Sequence, residues 1–220
     1  MTISAVLFDL DGTLLDTAPD FETAVNRLLS TEQCSALKTD AIREHIGDGS
    51  AGIIASVFGL ERQDPEFPRL QQQLLQNYRE CLTDKTAIFN RLDSSLELLD
   101  QKDVPWGIVT NKPSEYANPI VRKLLPNCQV LVCPDHVSLP KPDPAGILLG
   151  CEKLGIPPSE CIYVGDHIRD IQAGQAAKTR TIAVGWGYIN PSDQPGNWGA
   201  NWHVNAPADL SPLLETLLSE

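Results

Sequence analysis

The stretch Ile3-Ser4-Ala5-Val6-Leu7-Phe8-Asp9-Leu10-Asp11-Gly12-Thr13 decides the fold. Its first half is an apolar run of strand length, and its second half sets two carboxylates two positions apart. Residues i and i+2 of an extended chain share one side, so Asp9 and Asp11 face the same way. Gly12 lets the backbone turn sharply and come close to an oxyanion. Like charges this close repel, and a folded protein keeps them only with compensation, commonly a cation. A strand ending in such a cluster belongs at the carboxyl edge of a parallel sheet, where open α/β sheets bind ligands. A plain Asp-Gly turn would require neither the first carboxylate nor the strand.

Working outward, short β-branched runs alternate with helical stretches, the pattern of a parallel sheet covered by helices. Strands are expected over residues 3–9, 105–111, 129–133, 161–165, 181–184 and 202–205. Helices are expected over 94–102, 114–124, 145–154, 170–177 and 208–218. Residues 17–82 break the alternation, with helical periodicity and no convincing strand. Thr17 is placed to cap a helix over APDFETAVNRLL, and further helices are expected over 40–46, 50–58 and 67–81. The expected division is therefore an α/β core, 1–15 with 84–220, carrying a helical cap at 16–83. Residues 185–199, rich in Gly, Pro and Asn, read as a long loop.

The chain has 220 residues, 42% of them hydrophobic, which is enough for a substantial core. No apolar run approaches the ~20 residues of a membrane helix. The N-terminus reaches acidic residues with no basic region before them, so it reads as a core strand rather than a signal peptide. A net charge of −12 argues against a nucleic-acid partner and for a soluble cytoplasmic protein. Six cysteines without zinc spacing read as buried, reduced thiols. Oligomeric state is not legible. An acidic protein that handles an anion needs local positive charge.

A second acidic cluster, Val164-Gly165-Asp166-His167-Ile168-Arg169-Asp170, follows another apolar strand. Alone, Asp166 reads as a helix N-cap; beside Asp9 it reads as a ligand to a shared metal. An all-oxygen donor set suits Mg²⁺, which keeps waters and takes one or two carboxylates plus substrate phosphate. Thr110 and Asn111 end the strand PWGIVTN and offer a hydroxyl and a backbone N–H at the same edge. Lys141, in Leu139-Pro140-Lys141-Pro142-Asp143-Pro144, is the candidate local cation, aimed by flanking prolines. The segment Gly47-Asp48-Gly49-Ser50 reads either as a substrate-contacting loop at a helix start or as an ordinary interhelical turn. His167 reads as solvent-facing, or as a ring reaching the waters around a metal.

Together DLDGT, the strand ending in Thr110, Lys141 before Pro-Asp-Pro and GDxxxD resemble the haloacid-dehalogenase-like superfamily over essentially the whole chain. The resemblance implies a Rossmann-like parallel sheet with an α-helical cap inserted after the first strand, and a Mg²⁺-dependent phosphomonoester phosphatase. It implies that Asp9 is the nucleophile and Asp11 the general acid and then the base. Gly12, Thr110, Asn111 and Lys141 would meet the phosphoryl group. Mg²⁺ would sit on Asp9, the Asp11 backbone carbonyl and Asp166, with Asp170 steadying them from behind. Asp11 argues against dehalogenases, while a phosphosugar mutase shares all four motifs. A non-enzymatic receiver carries its phosphoacceptor on a later strand and needs about half this length. The chain is similar to phosphoglycolate phosphatases through LLDTAPDF. It is more similar to the N-acetylmuramic acid 6-phosphate phosphatases through Gly187-Tyr188-Ile189-Asn190-Pro191, Asn197-Trp198-Gly199-Ala200 and Cys133-Pro134-Asp135-His136. The implied partner is a small phosphorylated metabolite.

Overall fold

A computed structural model describes residues 3–190 and 192–219. Met1, Thr2 and Glu220 of the expected core, and Pro191 of the quoted loop motif, lie outside the described residues. The chain opens with β1 (Ala5–Phe8) and a two-residue β2 (Leu15–Asp16). Four helices follow: α1 (Ala18–Thr31), α2 (Thr39–Ile46), α3 (Gly49–Phe58) and α4 (Phe67–Cys81). A short β3 (Ala87–Ile88) leads to α5 (Asp93–Gln101), β4 (Trp106–Val109), α6 (Ser114–Leu124), β5 (Val130–Val132) and α7 (Ala145–Leu154). The last part holds β6 (Cys161–Gly165), α8 (Ile168–Ala177), β7 (Arg180–Val184), β8 (Trp202–Val204) and α9 (Leu210–Leu217).

The main sheet runs β5-β4-β1-β6-β7-β8, with every pair parallel. From β1 the chain crosses to β4 and outward to β5, then returns to β6 on the other side of β1. The strand order therefore reverses beside β1, which opens a crevice at its carboxyl end. All four β1 residues are buried, as a strand covered on both faces requires. Its period of two divides it between the faces. Val6 and Phe8 join Trp106, Ile108, Ile120 and Leu96 on one side. Ala5 and Leu7 join Ile147, Cys151 and Ala173 on the other.

Helices α1–α4 form a second apolar cluster around Phe21, Val25, Leu28, Ile53, Leu74 and Tyr78. Phe21 and Tyr78 stack with centroids 4.0 Å apart. Burying each such side chain contributes about 1.5–3 kcal/mol, so these helices carry a core of their own. Where the chain leaves and rejoins the α/β body, β2 and β3 pair antiparallel, Leu15 opposite Ile88 and Asp16 opposite Ala87. This ribbon was not expected; two residues carry no period.

Two helix starts differ from the sequence reading. Thr17 occupies the N-cap of α1, but its hydroxyl donates to Asp11 Oδ1 at 2.7 Å instead of capping. The Tyr188 hydroxyl serves the helix start, accepting from the Thr17 and Ala18 N–H groups at 2.6 and 2.9 Å. At α8 the cap is His167, not Asp166. Its ring Nδ1 accepts from the Arg169 N–H at 3.1 Å, and its own N–H donates to Asp170 Oδ2 at 2.9 Å. His167, half-buried and lining the cleft, closes a capping box. All six cysteines are unpaired; four are buried, Cys128 is half-buried and Cys34 is exposed.

Candidate active site

The carboxyl ends of β1, β4 and β6 converge on one cleft of about 500 Å³. Asp9 leaves β1 with its N–H bonded to Val164 O at 2.9 Å, which locks the strand end against β6. Its Oδ1 lies 2.8 Å from Lys141 Nζ, but no well-aligned hydrogen bond reaches that oxygen. Lys141 is buried and also donates to Asp170 Oδ1 at 2.7 Å, Tyr163 Oη at 2.7 Å and Val109 O at 3.0 Å. Burial pushes its ammonium down, but the Asp170 and Asp9 carboxylates outweigh that and hold it raised. Lys141 is thus a fixed cation. Asn111 fixes it further by exchanging two 2.9 Å bonds with the Lys141 backbone through its side-chain amide.

Asp166 is buried behind Asp9. Its Oδ1 accepts from Thr13 Oγ1 and its Oδ2 from the Tyr188 N–H, each at 2.8 Å. A Cβ built on Gly12 or on Gly187 would stand 2.2 Å from Asp166 Oδ2, so both glycines clear the space this carboxylate occupies. Gly12 has φ +82°, a conformation that favours glycine. Burial, then repulsion from Asp9 and Asp170, pushes the Asp166 carboxyl up to about 8. Burial raises Asp9 to about 6 against the pull of Lys141. Oxygens of Asp9, Asp166 and Asp170 lie within 4.8 Å of one another. Asp170 spends its two oxygens on Lys141 and the His167 N–H. Each Asp166 oxygen accepts one hydrogen bond and keeps a lone pair, and Asp9 Oδ1 has Lys141 Nζ beside it. Carboxylates under mutual repulsion, with hard oxygen donors throughout, are what a small divalent cation such as Mg²⁺ fits.

Asp11 stands at the cleft side of this cluster. Besides Thr17 it meets Lys112, whose Nζ lies 3.0 and 3.1 Å from its two oxygens. Thr110 is buried, and its hydroxyl accepts from the Lys112 N–H at 3.1 Å. On the opposite wall Gly47, Asp48, Gly49 and Ser50 line the cleft. Arg169 of α8 reaches across, donating to Gly47 O and lying 3.5 Å from Asp48 Oδ1. Trp198 packs its ring 6.5 Å from that of His167, and Trp202 lies under Arg180.

A family model described as haloacid dehalogenase-like hydrolase matches residues 6–184, from β1 to the last residue of β7. The chain belongs to the haloacid dehalogenase-like hydrolases. This hydrolase is 39% identical to the N-acetylmuramic acid 6-phosphate phosphatase of Pseudomonas aeruginosa, over 100% of its own length and 98% of that protein's. It is 36% identical to the phosphoglycolate phosphatase of Xanthomonas campestris, over 94% of each chain. The crystal structure of a hydrolase from Pseudomonas syringae superposes with a TM-score of 0.73 at 27% identity, over 98% of this chain and 99% of that one. The hydrolase is a phosphoric monoester hydrolase, and its family generally uses Mg²⁺. No described helix is long and apolar enough to cross a membrane. Lys112, Arg169 and Tyr188 were missed in the sequence. Lys112 does follow Thr110-Asn111 directly, so the strand-end reading stopped one residue short.

Proposed function

We propose that this hydrolase releases phosphate from N-acetylmuramic acid 6-phosphate through a phosphorylated Asp9, in preference to 2-phosphoglycolate. The observation that carries the reaction is the gathering of Asp9, Asp11, Lys141 and Asp166 at one sheet edge beneath a cleft. Asp9 attacks phosphorus as the alkoxide leaves. Asp11 protonates that alkoxide and then takes a proton from the water that hydrolyses the aspartyl-phosphate. Lys141 neutralises phosphoryl charge, and the Thr110 hydroxyl with the Gly12 and Asn111 backbone positions the group. Mg²⁺ on Asp9, the Asp11 carbonyl and Asp166 would draw charge from the phosphoryl oxygens. Asp170 holds Lys141 in place from behind. Residues 16–83 act as the cap on a core of 1–15 and 84–220, with Gly47–Ser50 contacting the alcohol part of the substrate.

Two observations favour the sugar phosphate over the two-carbon acid. Identity to the N-acetylmuramic acid 6-phosphate phosphatase is higher and spans more of both chains. The cleft of about 500 Å³, walled by Phe21, Leu75, Tyr78 and Tyr116, suits a ring-sized ligand. Unpaired cysteines fit a reducing cytoplasm. Purified protein assayed on both esters tests the reading: kcat/KM should be higher for N-acetylmuramic acid 6-phosphate, and the reverse order would return the protein to phosphoglycolate hydrolysis.

A further inference from the structure

Lys112 and Arg169 are the cationic groups of the cleft that the proposed reaction leaves without a task, and Arg169 is taken up by Gly47 O and Asp48. Lys141 is saturated by two carboxylates, a phenol and a carbonyl. Lys112 differs. Its ammonium has three donors, and among the described residues Asp11 is the one carboxylate paired with it. The rings of Phe21 and Tyr78, from α1 and α4, lie beneath it with centroids 5.0 and 4.8 Å away. Lys112 thus stands between the sheet edge and the helical wall, buried, beside the group assigned to the leaving oxygen. Asp11 has a further donor in Thr17, so it keeps a partner when it turns toward that oxygen. Lys112 does not. A buried ammonium stripped of its counter-charge is costly, and a second anion arriving with the alcohol removes that cost.

Resting on the proposed function, we propose that Lys112 is a specificity-determining residue that binds a carboxylate carried by the alcohol part of the substrate. The substrate carboxylate takes over the Lys112 ammonium as Asp11 moves to the leaving oxygen. The substrate class is then a phosphate monoester of a hydroxy- or ether-acid; esters of neutral alcohols lack the second anion.

The test compares N-acetylmuramic acid 6-phosphate with N-acetylglucosamine 6-phosphate, which is the same sugar without the lactyl acid. The wild type should favour the acid by about tenfold or more in kcat/KM. Lys112→Met should erase that preference, chiefly by raising the acid's KM, so that kcat/KM falls about tenfold more for the acid than for the neutral ester, and Lys112→Arg should restore it. Equal wild-type rates on the two sugars overturn the inference without any variant, so a Lys112→Met protein that fails to fold does not shield it. An equal fall on both sugars also overturns it, because Lys112 would then act only through Asp11 or the phosphoryl group. If neither sugar is turned over, the substrate proposal fails by itself. The same comparison then runs on 2-phosphoglycolate against ethyl phosphate, and the same outcomes decide.

Discussion

Asp9 and Asp166 face each other as acids whose protons are hard to remove, and that has a consequence for stability. Their carboxyls sit at about 6 and about 8, above the ordinary value of 3.8, chiefly through burial. Between roughly pH 4 and pH 8 the native metal-free protein therefore holds protons that the unfolded chain has released. Stability falls as pH rises wherever the native state binds more protons. Thermal melting in EDTA should show a lower midpoint at about pH 8 than at about pH 5, and Mg²⁺ should restore more at the higher pH. A midpoint that climbs with pH in EDTA would contradict the electrostatic account. At this scale the sequence disclosed the actors better than their settings. The carboxylates of DLDGT and GDxxxD were legible because acidic residues after apolar strands are unusual. Lys112 and Tyr188 were not, because nothing local to either shows that it touches Asp11 or Asp166.

Elements were legible where period and length agreed. Helices α4, α6 and α7 and strand β6 fall on the expected residues, each being a clean helical stripe or a buried run of strand length. The junction between α/β body and helices was not, since it is made by a residue remote in sequence. Tyr188 Oη accepts from the first N–H groups of α1 and donates to Asp16 Oδ1 at 3.0 Å, while its backbone N–H holds Asp166. One residue thereby ties the start of the helical segment to the acidic cluster. Tyr188→Phe removes the acceptor of the buried Thr17 N–H and leaves the Ala18 N–H only Asp16 Oδ1 at 3.3 Å, at a cost of about 1–3 kcal/mol. Urea unfolding should show that loss as a lower midpoint at unchanged slope. An unaltered midpoint would mean that the phenol does not hold α1.

Across the whole molecule, the topology joins motifs that lie far apart along the chain. The reversal of strand order at β1 brings Asp9, Thr110 and Asp166 to one edge, and the loop before α7 swings Lys141 beneath them. The cleft sets Lys112, Lys141 and Arg169 among the carboxylates of Asp9, Asp11, Asp48, Glu115, Asp166 and Asp170, so positive charge for a phosphate ester is local, and a cation on Asp9 and Asp166 would add to it. The sequence carried the succession of strands and helices along the chain and the run of helices after the first strand, but neither the order of strands in the sheet nor the cleft's far wall. Which faces of α1–α4 turn toward Asp9 depends on packing between helices, and no local pattern encodes that. The central claim is that Asp9 forms the covalent intermediate, and the kcat of Asp9→Asn on N-acetylmuramic acid 6-phosphate tests it most directly. That kcat should fall at least about a thousandfold, because the amide cannot attack phosphorus, in a protein that still melts cooperatively. A folded Asp9→Asn enzyme with kcat within about tenfold of wild type would contradict it.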